Sequence, residues 1–146
     1  MYEKVLLPVD GSEVSNHAAE EGFKLARILG SEITLLYVID MAITTMPEAE
    51  LGLANYEVLR NSFKEQGDKV LGTLAASGKA KGVKVVTVIA EGDVHDEIIK
   101  HAEQRKSDLI IMGTHGRRGL NRLLLGSVAE SVARRAHCPV LLIRPE

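Results

Sequence analysis

The chain has 146 residues, a formal net charge of −2 and 26% charged residues, which suits one domain spanning 1–146 and excludes a global field that would draw in nucleic acid or an anionic membrane. Aromatic residues make up 3%, with no Trp, so the stacking platforms of single-strand nucleic-acid binders are missing. The single Cys138 excludes an internal disulfide. No charged-then-apolar leader precedes the first strand and no apolar run nears spanning length, so the expectation is a cytoplasmic protein with no membrane partner.

Strand-like and helix-like segments alternate along the chain. Val5 to Val9 is a short apolar run ending in turn residues, Asp10-Gly11-Ser12. Ser12 to Leu29 carries a helical stripe at Val14, Ala18, Phe23, Ala26 and Ile28-Leu29, closed by Gly30. Ile33 to Ile39 is a second buried strand. Residues 40–56 hold Ile43, Met46, Leu51, Leu53 and Tyr56 without clear period, which suits either a loop packed on the helices or a lid or partner surface. A helix follows, from roughly Glu48 to Lys79 by its spacing, weakened by Gly52, Gly67 and Gly72. Val83 to Ile89 is the third strand, and Asp93 to Arg105 a short helix with Asp93 at the N-cap and Asp96 at N3. Leu109 to Met112 and Val140 to Ile143 are the fourth and fifth strands, with a helix from Val128 to Ala136 between them. Five buried strands separated by helices predict an α/β fold, an open doubly wound parallel sheet with helices on both faces.

The most informative pattern follows the fourth strand: Gly113-Thr114-His115-Gly116, nine residues, then Gly126-Ser127. Glycines admit a phosphate close to the backbone, and a helix N-terminus supplies free N–H donors and a partial positive charge. A side chain at Gly116 or Gly126 is expected to fill phosphate space or to be forced into backbone that only glycine tolerates. No G-x-x-x-x-G-K-[ST] occurs, and Gly113, Gly116 and Gly119 do not form the dinucleotide fingerprint, so neither a Walker ATPase nor a Rossmann dehydrogenase fits. In an open parallel sheet, ligands lie beyond the carboxyl ends of the strands where strand order reverses. Those ends are Pro8-Val9-Asp10, Tyr37-Val38-Ile39-Asp40 and Met112-Gly113.

The runs LLPVDGSE, LLYVID and IIMGTHGRRGLNRLLLGSVAESV resemble the universal stress protein family over the whole chain. The most specific match is the family's ATP-binding signature, G-2x-G-9x-G-[ST], carried by Gly113, Gly116, Gly126 and Ser127. The resemblance implies sheet order 3-2-1-4-5, a homodimer, and ATP bound with Mg²⁺ or Mn²⁺. By the same resemblance Val38 meets adenine through its backbone, and Pro8, Val9 and Asp10 lie beside the nucleoside. Met112, Gly113, Thr114, His115, Gly116, Arg117, Arg118 and Gly119 would wrap ribose and phosphates together with Gly126, Ser127, Val128 and Ala129. Val94 departs from the proline that many members carry after the third strand, which bears on the rim of the pocket.

Several of these residues also have plainer readings. Ser127-Val-Ala-Glu130 spells a capping box, and Asp10 with Glu13 could cap the first helix. Otherwise Asp10 contacts the nucleoside or the metal. His115 is either a solvated loop residue or a phosphate contact. Arg117, Arg118 and Arg122 form either a solvated loop or a basic flap over a triphosphate. His17, His95, His101 and His137 lack metal-ligand spacing and read as structural or exposed, and Cys138 as a small residue opening a strand. The resulting expectation is a stress-associated dimer whose state or protein partner, unidentified by the sequence, changes with ATP occupancy. A slow ATPase or phosphotransferase using the same site is the alternative, followed by a dimeric scaffold with an empty crevice. The dimer is expected through the apolar C-terminal strand, Val140 to Ile143, flanked by Pro139 and Pro145.

Overall fold

The computed structural model describes residues 1–40, 52–115 and 124–145. Five strands, β1 (Lys4–Pro8), β2 (Glu32–Asp40), β3 (Lys84–Gly92), β4 (Leu109–Gly113) and β5 (Val140–Ile143), alternate with four helices, α1 (Glu13–Leu29), α2 (Leu53–Ala80), α3 (Val94–Gln104) and α4 (Ser127–Arg135). Every adjacent pair of strands is parallel, in the order β3-β2-β1-β4-β5. This is the doubly wound sheet expected from the sequence, in the order the family resemblance implied. Residues 41–51 of the irregular segment, including Ile43, Met46 and Leu51, lie outside the described residues, as do Gly116, Arg117, Arg118, Gly119 and Arg122.

The central strands are apolar through most of their length because both faces are covered. On one face Val5, Leu7, Ile33, Leu35, Tyr37 and Ile111 pack with Phe23 and Ala26 of α1 and Leu71 and Leu74 of α2. On the other, Leu6, Leu36, Ile110 and Met112 pack with Ile98, Ile99 and Ala102 of α3 and Ala129 and Val132 of α4. Each fully buried side chain of this size contributes roughly 1.5–3 kcal/mol. The stripe of α1 runs through Ala18, Ala19, Phe23 and Ala26 but leaves Ile28 81% exposed. Five residues beyond Phe23, Ile28 has rotated off the buried face.

The helix ends follow their capping residues. Ser12 Oγ accepts from Ser15 N to open α1, and Gly30, at φ 71°, closes it with an N–H to the Ala26 carbonyl. Asp93 accepts from Asp96 N at the start of α3. Two glycines of α2, Gly67 and Gly78, are contact points. A Cβ on Gly67 would lie 2.8 Å from the Tyr37 ring, and one on Gly78 2.7 Å from Val85. Their absence lets a 28-residue helix lie close on the sheet.

One local feature opens the sheet. Glu32 N donates to the Glu3 carbonyl and Val9 N to the Leu36 carbonyl, while Asp108 N donates to the Lys4 carbonyl. Alternation along β1 therefore turns the main-chain groups of residues 4, 6 and 8 toward β4. Pro8 is thus the position that should donate to β4, and it has no N–H. The β1–β4 ladder stops at Leu6↔Ile110, whereas β1–β2 continues to Pro8↔Leu36 and β4–β5 to Gly113↔Ile143. The two central strands part at their carboxyl ends, where the strand order reverses.

Candidate functional site

Beyond that gap lies a cavity of about 400 Å³. Its walls are the ends of β1 (Pro8, Val9, Asp10), β2 (Leu36 to Asp40) and β4 (Met112 to His115), together with the N-termini of α3 (Asp93, Val94, His95) and α4 (Gly126 to Ala129). Every described residue proposed from the sequence as a site residue lines it. Gly116, Arg117, Arg118 and Gly119 are outside the described residues. Ser15, Phe63, His95 and Ile98 also line it, and sequence reasoning missed them. His95 was read as structural or exposed, but it stands at the second position of α3, on the carboxyl side of the sheet. Its place two residues after the N-cap that follows β3 was the available signal. Nothing in the sequence singled out Phe63, which reaches the cavity from the middle of α2.

The two helix N-termini differ electrostatically. At α3 the Asp93 carboxylate accepts from Asp96 N at 3.0 Å, so a negative charge already occupies that end. At α4 the N-cap is Gly126, with no side-chain cap. This corrects the capping-box reading of Ser127 and Glu130: Ser127 is the first helical residue, one position too late to cap. The first intrahelical bond runs from Glu130 N to the Gly126 carbonyl. The N–H groups of Ser127, Val128 and Ala129 precede it at the cavity wall, without intrahelical acceptors. An anion is favoured at α4 and disfavoured at α3.

Asp10 is not a helix cap either; Ser12 holds that position. The Asp10 Oδ1 accepts from Ser12 N at 2.9 Å, and its own N–H donates to Ser15 Oγ at 3.2 Å. The turn holds a half-buried carboxylate at the cavity wall. On β2, the Leu36 carbonyl faces β1, so alternation turns the Val38 N–H and C=O to the same side, past the point where β1 has ended. The strand thus offers one donor and one acceptor to the cavity, in line with Tyr37 and Ile39 buried on the opposite face.

The glycine positions do their work through space. Gly126 has φ −61° and ψ 149°, ordinary backbone for any residue, which corrects the expectation of a glycine-only conformation. A Cβ there would lie 2.8 Å from the Thr114 carbonyl oxygen and 3.3 Å from His115 Cα. Gly113 is similarly tight, with Val14 Cγ1 at 2.8 Å from an added Cβ. Gly126 N donates to the Thr114 carbonyl at 2.8 Å, tying the start of α4 to the end of β4. His115, 8% exposed, is buried rather than solvated, and both its ring nitrogens have partners, Thr114 Oγ1 and the Leu124 carbonyl.

Among the described residues, no cluster of three or more His, Cys, Asp or Glu could hold a metal ion. Away from the cavity, burial and then the Asp108 charge push the Cys138 thiol up, which keeps it protonated and poorly nucleophilic.

Comparison with known proteins gives the family and the fold. The universal stress protein family model matches residues 1–144. Universal stress protein MJ0531 of Methanocaldococcus jannaschii is 40% identical over 144 residues, covering 99% of this chain and 83% of that protein. The solved structure of hypothetical protein MJ0577, from the same organism, superposes with a TM-score of 0.87 at 33% identity, over 100% of this chain and 98% of that one. A universal stress protein family protein of Arabidopsis thaliana with AMP bound shares the fold, with a TM-score of 0.71 at 24% identity over 98% of this chain and 92% of that one.

Proposed function

The chain belongs to the universal stress protein family, and from that premise we propose that it is a regulatory ATP-binding module, a cytoplasmic, stress-associated dimer whose state or protein partner changes with nucleotide occupancy. One observation carries the reading: an uncapped helix N-terminus and a free strand edge face the same cavity from opposite walls. The α4 N–H groups suit phosphates, and Ser127 adds a hydroxyl donor beside them. The Val38 N–H and C=O suit the donor–acceptor edge of adenine, with Pro8 and Val9 beneath the nucleoside. The capped α3 end repels a polyphosphate and so orients the ligand, phosphates toward α4 and base toward β2. Gly113 and Thr114 border the ribose and first phosphate in this pose, and Arg117 and Arg118 would neutralise the outer ones. The same fold holds AMP in the Arabidopsis protein.

A divalent ion fits only as part of the nucleotide complex. Mg²⁺ and Mn²⁺ take oxygen ligands, and Mg²⁺ is commonly held by one or two carboxylates plus substrate phosphates. Asp10 is the carboxylate that would reach it, and the ion would offset phosphate charge that Asp10 alone repels. The alternative, a slow ATPase or phosphotransferase, needs a group to orient the attacking water. With both His115 nitrogens engaged, that role would fall to another group at the wall such as Asp10 or His95, and the binding reading is favoured over turnover and over an empty scaffold.

The test is to purify the chain from cells, denature it and identify the released small molecule by ultraviolet absorbance and mass. An adenine nucleotide in near-stoichiometric amount is expected. A clean preparation that also fails to bind added MgATP in calorimetric titration would remove the proposal.

A further inference from the structure

His115 sits where the chain leaves β4, and Leu124, nine residues on, is where it returns toward α4. The His115 Nδ1 meets Thr114 Oγ1 at 2.9 Å, and Nε2 meets the Leu124 carbonyl oxygen. A carbonyl oxygen can only accept, so Nε2 must carry the proton; in the neutral ring Nδ1 is then bare and accepts from the Thr114 hydroxyl. The bond between Gly126 N and the Thr114 carbonyl lies alongside. Apolar burial does not hold the returning chain, because Leu124 is 66% and Leu125 42% exposed. Two hydrogen bonds across the base of the glycine segment do that instead.

We propose that His115 is a positioning residue: its imidazole clasps the two ends of the glycine segment and thereby sets the α4 N-terminus against the end of β4, without itself touching phosphate. The inference rests on the nucleotide reading above for its effect on affinity, but not for its geometry. It assigns the ring one tautomer, fixed by the Leu124 carbonyl, and gives the buried Thr114 hydroxyl a role, as the donor that satisfies the bare Nδ1. It also separates the two nitrogens by function, since only the Nε2 bond spans the segment.

Substitution tests that separation. The amide nitrogen of Gln reaches the position of Nε2, whereas that of Asn reaches only the position of Nδ1. In calorimetric titrations with MgATP, His115→Ala and His115→Asn are expected to lose affinity by about tenfold or more, and His115→Gln to stay within about threefold of wild type. Equal losses in Gln and Asn, or none in Ala, overturn the clasp. Long-range proton–nitrogen correlation on the nucleotide-free wild-type protein is expected to show a protonated Nε2 and a bare Nδ1, and the opposite tautomer overturns it as well. If wild type binds no MgATP, the nucleotide reading falls and amide exchange decides the clasp. Faster exchange at Leu125 and Gly126 in Asn than in Gln supports it, and equal exchange rejects it.

Discussion

Replacing Gly126 with Ala adds one methyl group at the junction between the strand end and the helix N-terminus. That Cβ would start 2.8 Å from the Thr114 carbonyl oxygen and 3.3 Å from His115 Cα. Both neighbours are backbone, so neither can rotate away, and the two segments must separate by roughly half an ångström to reach ordinary contact. Such overpacking costs about 1–3 kcal/mol. The separation also stretches the bond from Gly126 N to Thr114, 2.8 Å in length, and a weakened buried hydrogen bond adds up to about 1 kcal/mol. Stability should therefore fall by about 2 kcal/mol, while the fold remains. MgATP affinity should fall with it, because the displaced atoms carry the free N–H groups of α4. Gly72→Ala is the control: nothing lies within 4 Å of its added Cβ, it is exposed in the interior of α2, and it should gain roughly 0.5–1 kcal/mol. Urea unfolding and calorimetric titration of both variants decide the matter. Unchanged stability and unchanged affinity in Gly126→Ala would refute the argument that space, rather than conformation, requires this glycine. The larger Val should destabilise the fold further, since its added methyls start from the same crowded Cβ.

Three further outcomes are expected. Phosphate release from ATP should stay far below ordinary enzyme turnover of ~10 s⁻¹; sustained release near that rate, abolished by Asp10→Ala, would overturn the binding reading. The proposed dimer should fall apart on Leu141→Lys, because Leu141 is the exposed residue of edge strand β5, whereas Leu142 packs on the α3 and α4 core and a charge there would unfold the protein instead. Light scattering that finds wild type monomeric at micromolar concentration rejects the dimer. His101 is held below its ordinary value of 6.5 by burial, against the opposing pull of Glu97. A histidine with a lowered folded pKa favours the folded state above its unfolded pKa, and that contribution is lost as pH falls through the folded one. Stability should decline with acid below about pH 6.5, and His101→Gln should flatten that slope in urea melts at stepped pH; an unchanged slope assigns it to other groups.

The alternation of apolar runs with helical stripes was enough to specify the doubly wound class, since only a sheet covered on both faces lets Leu6 and Leu7 both be buried. The glycine spacing likewise marked Gly113 and Gly126 before any coordinates, as places where a phosphate could approach the backbone, but that a Cβ there would meet Val14 or the Thr114 carbonyl needed the fold. What neighbours a residue across the sheet is not local information. The role of Pro8 in opening the cleft needed the register of β1 against both β2 and β4, and the free edge at Val38 needed the point at which β1 stops. Capping was legible only where helix boundaries were: Asp93 was identified from its spacing, while Ser127 lost the cap to Gly126 by one residue, a shift that packing against Thr114 decides. Phe63 and the buried ring of His115 belong wholly to tertiary structure. Their partners lie on other elements or across the glycine segment, and a side chain's surroundings are set by the folded chain as a whole, not by the residues beside it.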